Sequence, residues 1–254
     1  MAFEMLVVLV ALAIVAALYS SVGHGGASGY LAILSLTSFG LLGSPWLKQH
    51  AWSMNLVVAS MAFWHYYKAG HHVPKLTIPF IVASIPMALL GGYLRVDGVV
   101  YDTLLSVALI WAAWRLMTVK PITNDKKVEA PELNIALPIG GVIGLASGIV
   151  GVGGGIFLSP VILLKKWATP KTAAATSALF IWVNSAAGMV GAAISGQLEL
   201  QVDVLFPFIG AVLIGGYIGS NYGAKIASQN KIKTLLVVVL VVAAFRRILE
   251  VISN

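Results

Sequence analysis

The sequence predicts an all-α polytopic membrane protein, built as two inverted five-segment repeats whose helices are broken at glycine-rich turns. Three observations carry that expectation. Of the 254 residues, 59% are hydrophobic and 10% charged, whereas a soluble domain carries roughly 25% charged residues. Apolar runs follow one another from Phe3 to Ile252, and a transmembrane helix needs roughly 20 mostly apolar residues. Finally, Val22-Gly23-His24-Gly25-Gly26 is answered by Val150-Gly151-Val152-Gly153-Gly154, an offset of 128 residues.

The echo continues in order. Ser53 matches Ser177, Pro79-Phe80 matches Pro207-Phe208, and Gly91-Gly92-Tyr93 matches Gly215-Gly216-Tyr217, all at offsets of 124 to 128. Each unit reads as five apolar segments: about 3–22, 26–44, 50–68, 76–94 and 101–117, then 135–150, 154–166, 172–195, 204–222 and 232–251. The first run is read as a retained helix and not a secretory signal, because Glu4 stands where a basic flank would be and a second apolar segment follows at once. Lys120 to Glu132, with two prolines and mixed charge, is the hydrophilic linker. The chain therefore divides into a first transmembrane repeat (1–118), a polar linker (119–133) and a second repeat (134–254), forming a single transmembrane domain.

The net charge of +7 does not point to nucleic acid, since the basic residues cluster at helix ends and short loops, where they set orientation. If the second segment of each unit dipped in and returned, the 16 Lys and Arg would divide 8 to 8. If all five segments cross, 12 fall on one side, leaving Lys48, Arg95, Arg246 and Arg247 opposite. The biased arrangement is preferred. Five being odd, the repeats are then inverted, and both termini lie on the non-cytoplasmic side of the membrane. Segment 154–166 is short for a span and is expected to be a half-helix starting at depth. Inverted repeats with interrupted helices are typical of secondary transporters.

The absence of cysteine excludes disulfides, thiol catalysis, thiolate metal sites and covalent haem attachment. The nine carboxylates fall in loops or near helix ends, so no buried acid relay of the kind proton pumps use is evident. No catalytic residue, metal or cofactor is expected.

The candidate site lies at the glycine turns. Consecutive glycines let backbone N–H groups converge into an anion-binding nest, and the helix that follows aims its positive dipole end at the same place. Freed backbone groups at depth must be buried in protein or line a cavity. The substrate-binding candidates are therefore Gly23, His24, Gly25 and Gly26 in the first turn, with Gly151, Gly153, Gly154 and Gly155 in the second. The flanking hydroxyls Ser20, Ser21 and Ser28, with Ser147 and Ser159 in the second unit, can donate to an oxyanion or instead cap their own helices. His24 is the one ionisable side chain within either turn. Ser53, Asn55, Thr176, Ser177 and Asn184 add polar groups to the third helix of each unit. Gly140, Gly144 and Gly148, like Gly215, Gly219 and Gly223, have the small-xxx-small spacing of close helix packing. Trp46, Trp52, Trp64, Tyr66, Tyr67 and Trp167 are expected in the interfacial belt.

At the paired glycine clusters the sequence resembles the sulfite exporter TauE/SafE family, also called DUF81 or TSUP permeases. The resemblance rests on an S-x-x-G-x-G-G-type break early in each half (Ser20 to Gly26, Gly148 to Gly155), the polar-spotted helix after it and the later glycine pair. It implies a transporter of sulfite, sulfoacetate or other organosulfonates, usually outward, in the bacterial inner membrane. The residues themselves argue for a small anion. A homodimer and coupling to protons or sodium are compatible with that reading. Two competing readings are a passive anion channel and, from Gly26-Ala27-Ser28-Gly29, a rhomboid-like intramembrane serine protease, which would need a histidine base within reach of Ser28.

Overall fold

The computed structural model describes residues 2–94, Val96 and 128–228, with isolated positions between 230 and 238. The expected segment 101–117, all but isolated positions of 232–251, and the linker up to residue 127 lie outside the described residues. Within them the chain forms helices α1 (Ala2–Ser20), α2 (Ala27–Ser35), α3 (Ser44–Lys68), α4 (Pro74–Tyr93), α5 (Leu133–Val150), α6 (Gly155–Leu164), α7 (Pro170–Ile194) and α8 (Val202–Asn221). A 3₁₀ turn (Ser38–Leu42) follows α2, and one turn of π-helix (Tyr222–Ile226) extends α8.

Among the described residues, five stretches are long and apolar enough to cross a bilayer: Phe3–Ser20, Pro74–Tyr93, Leu133–Val150, Pro170–Ile194 and Val202–Ile226. The 25-residue α3 matches their length. It begins at Ser44, earlier than the apolar pattern suggests, because Pro45 suits a first helical turn and the polar residues Lys48, Gln49 and His50 are buried instead of solvated. α2 and α6 have only 9 and 10 residues, about 15 Å at 1.5 Å per residue. Each is a half-helix. In the first case the expected segment 26–44 loses its end to the 3₁₀ turn, where Ser35 and Thr37 hydroxyls donate to the Leu31 and Leu34 carbonyls.

Cross-helix contacts fix the directions. α1 and α8 run parallel, with Gly215, Gly219 and Gly223 seated on the carbonyls of Ala13, Ala17 and Ser21. Likewise α4 and α5 run parallel, with Gly140, Gly144 and Gly148 seated on those of Phe80, Ser84 and Ala88. A Cβ at any of these six glycines would fall within 3 Å of backbone, so the small residues set the interhelical distance as the spacing predicts. α3 and α7 cross the centre antiparallel: Gln49 meets Gln197 and Glu199, Trp52 meets Gly188, and Asn55 meets Ser185. α1 and α5, the opening helices of the two units, consequently run in opposite directions.

The belt expectation divides. Trp64 and Tyr67 are exposed, 56% and 55%, whereas Trp46, Trp52 and Tyr66 are 3% or less. Those three belong to the core: Trp52 lies on Gly188, and Tyr66 donates its hydroxyl to the Ser21 carbonyl at 2.6 Å. Position near an apolar segment's end cannot distinguish an aromatic facing lipid from one facing α7 or α1.

Candidate functional site

The two glycine breaks reach the middle of α3 from opposite ends. After α1, Ser21 sits beside Tyr66, while Gly25 and Ala27 sit beside Asn55. Tyr66 and Asn55 are 11 residues apart on one helix, about 16 Å along its axis, so residues 22–26 climb from the end of the bundle back to its middle. α2 starts there and returns toward the N-terminal end of α1, where the Ser38 N–H donates to Glu4 at 3.0 Å. After α5, Gly151 abuts Lys48 near the opposite end of α3, and Gly153 again reaches Asn55. α6 then runs from the middle toward the start of α7, with Gly155 against Ile181 and Ser159 bonded to Ser177.

Both half-helices thus point their N-termini at one central region. Each begins on a left-handed glycine, Gly26 (φ 102°) before α2 and Gly154 (φ 82°) before α6, a conformation costing other residues roughly 1–2 kcal/mol. Neither helix has a side-chain cap at its first residue; of the orphan N–H groups at the start of α2, that of Ala27 is met from α3. Asn55 accepts from the Ala27 N–H at 3.1 Å and donates to Ser185 Oγ at 3.2 Å. One buried amide therefore joins the start of α2 to α7 while touching both breaks.

Beside this junction lies a small cavity bordered by His24, Gly25, Gly26 and Ser28 from the first break and by Val152 and Ile156 from the second. Its room, about 10 Å³, admits about one water. Ser28 donates to the Tyr19 hydroxyl at 3.1 Å, and Tyr30 holds the Gly25 carbonyl at 2.6 Å. His24 is 2% exposed; its Nε2 lies 2.9 Å from Ser159 Oγ, which is 2.6 Å from Ser177 Oγ. Its Nδ1 is buried with no partner. Two helix N-termini, hydroxyls and an imidazole, without any buried Lys or Arg on the cavity wall, can hold a small anion.

Not every candidate converges. His24, Gly25, Gly26 and Ser28 border the cavity, and Asn55, Gly153, Gly155 and Ser177 lie directly behind it. Ser20 and Ser21 return their hydroxyls to the Ala17 and Leu18 carbonyls, and Ser53, half-buried, to that of Gln49. Gly23 packs on the Ala174 carbonyl and Gly151 on Lys48, while Gly154 packs among Phe180, Ile143 and Ser147. Asn184 is fully buried with neither end of its amide partnered, and the Ser147 hydroxyl is likewise unpartnered. Thr176 bonds Thr77 of α4 at 3.0 Å.

Ser185, Tyr19 and Tyr30 had escaped sequence reasoning. For Ser185 a signal existed: Ser177, Ile181 and Ser185 recur every fourth residue and so share one face of α7, the face that meets both breaks. The two tyrosines carried no such sign, since an aromatic ring in an apolar helix reads as core.

A family model described as sulfite exporter TauE/SafE matches residues 7–247. A probable membrane transporter protein, y4hK, of Sinorhizobium fredii is 33% identical over 241 residues, covering 93% of this chain and 95% of that protein. YunE of Bacillus subtilis, also a probable membrane transporter protein, is 31% identical over 111 residues, 44% of this chain and 38% of its own. A probable membrane transporter protein of Xylella fastidiosa is 32% identical over 99 residues, 39% of this chain and 37% of that protein. No solved structure matches the chain.

Proposed function

The chain belongs to the sulfite exporter TauE/SafE family of membrane transporters, and from that premise we propose that it is a secondary transporter exporting small sulfur-containing oxyanions such as sulfite, sulfoacetate or other organosulfonates. The observation that carries this reading is the convergence of the α2 and α6 N-termini, from opposite ends of the bundle, on Asn55 and the His24 cavity. The opposed directions of α1 and α5 support two inverted repeats around that point, on which alternating access by rocking is a natural motion. With room for about one water, the cavity is too small for an oxyanion in this conformation, and on this reading the anion enters once the first turns of α2 and α6 separate. The repeats divide at the polar stretch 119–133. A negative interior favours outward movement of each negative charge by about 2.3 kcal/mol per 100 mV. Lys48 at one end and Lys68, Lys171 and Lys225 at the other follow the predicted charge split, which puts the second end in the cytoplasm of a bacterial cell.

Counterflow of labelled sulfoacetate in proteoliposomes tests the proposal: a carrier accumulates label transiently against preloaded substrate, and a passive channel does not. Gly25→Leu drives a side chain into the Asn55 amide, and Gly154→Leu one into Phe180 and Ile143. Both should abolish counterflow and the thermal shift from ligand, which approaches 2.7 kcal/mol at a ligand concentration about 100 times Kd. Normal transport by both variants would falsify the anion site. The protease reading finds little support: Ser28 bonds Tyr19, His24 Nε2 bonds Ser159, and His65 and His71 bond Ser220 and Ala224 beyond the Tyr66 end of the first break.

A further inference from the structure

We infer that His24 takes up one proton together with the anion, making transport proton-coupled; this rests on the anion site proposed above. The ring is fixed by the chain His24 Nε2, Ser159 Oγ, Ser177 Oγ, which spans the first break, α6 and α7 at 2.9 and 2.6 Å. That leaves Nδ1 without a partner on a residue bordering the cavity. Leaving a buried polar atom unpaired is unfavourable, and a ligand-binding role gives it a partner.

The surroundings narrow the role from hydrogen bonding to charge. His24 lies beside the Tyr19 ring of α1 and bonds Ser159 of α6, which bonds Ser177 of α7, while Ser28, Ile156 and Ile181 share the cavity wall with it. Tyr19 is the other titratable side chain among them. Among the described residues no Lys, Arg, Asp or Glu borders the cavity. An anion brought out of water against neutral groups alone suffers a desolvation cost of several kcal/mol. A proton on Nδ1, the ring nitrogen without a partner, supplies the missing counter-charge. By reciprocity, whatever factor the proton adds to anion affinity, the anion adds to proton affinity, so the two bind and leave together, and a dianion such as sulfite or sulfoacetate then carries one net negative charge outward. In the tautomer in which Nε2–H donates to Ser159 Oγ, the proton adds to the imidazole lone pair at Nδ1 on loading and departs from it on release, leaving the neutral ring; no other bond changes.

Methanesulfonate is a suitable probe, because as the anion of a strong acid it carries no proton of its own. In wild-type proteoliposomes its affinity should fall by up to about tenfold per pH unit as pH rises through the His24 transition, and each methanesulfonate entering should bring one proton onto an internal pH dye. His24→Gln should weaken binding and flatten the pH dependence, while His71→Gln, outside the site, keeps the wild-type slope. A pH-independent wild-type affinity, anion entry without protons, or a His24→Gln protein with the wild-type slope would each overturn the inference. If His24→Gln does not fold, Ser159→Ala, which removes the Nε2 partner together with its bond to Ser177, must move the midpoint of the transition; an unmoved midpoint overturns it equally. Failure of the wild type to bind any sulfonate or sulfite between about pH 5 and 9 would instead defeat the anion site itself, and the coupling with it.

Discussion

Asn55 offers the sharpest test of how the centre is held. Replacing it by Leu keeps the volume nearly constant but removes the acceptor for the Ala27 N–H and the donor to Ser185 Oγ, at 3.1 and 3.2 Å. Both bonds join elements that are far apart in sequence, and both partners become buried groups without compensation. Interhelical hydrogen bonds in membrane proteins average about 0.6 kcal/mol and reach about 1.7, and an orphaned buried N–H adds roughly 1–3 kcal/mol. Asn55→Leu should therefore lose about 2–4 kcal/mol in a reversible unfolding titration from mixed micelles. Ser53→Ala, two residues away on the same helix, removes only a bond back to the Gln49 carbonyl and should stay within about 0.5 kcal/mol of wild type. A double-mutant cycle with Ser185→Ala should return a coupling of about 0.6 kcal/mol. If Asn55→Leu unfolds like Ser53→Ala, or the cycle returns zero, Asn55 does not hold the two breaks together.

Gly219→Leu places a side chain against the Ala17 carbonyl and Ser20 Oγ and should lower the thermal unfolding midpoint, at a cost of about 1–3 kcal/mol or more. Gly210→Ala in the same helix meets nothing within 4 Å and should gain up to about 1 kcal/mol. Tyr66→Phe strips the Ser21 carbonyl of its donor and should cost about 1 kcal/mol in the same assay. His71 lies in the α3–α4 loop, where burial first and the Lys171 charge second hold its pKa below 6.5, against a smaller opposing effect from its bond to Ala224. Because the folded state disfavours the proton, this contribution to stability is complete above about pH 6.5 and diminishes as pH falls below it. Stability measured across that window should lose part of its acid sensitivity in His71→Gln, and an unchanged profile would contradict the assignment.

The sequence by itself determined the solvent and the duplication. A chain so apolar must satisfy its backbone internally, and helices do that within one segment, so hydropathy announced most of the spans. The glycine repeats Gly140–Gly148 and Gly215–Gly223 were legible as packing faces because helical periodicity converts a spacing of four into one surface. The glycine breaks were legible too, since runs of glycine are unfavourable in a helix interior. Tertiary structure alone decided which polar groups share a place. Asn55, Ser185, His24 and Ser159 are separated by up to 161 positions, and no local pattern reports that residues 22–26 climb back along α3 to meet Gly153. For the same reason Ser20, Ser21 and Ser53 looked equivalent to Ser159 and Ser177: a serine inside an apolar helix can bond its own preceding turn or another helix, and the choice depends on what packs against it.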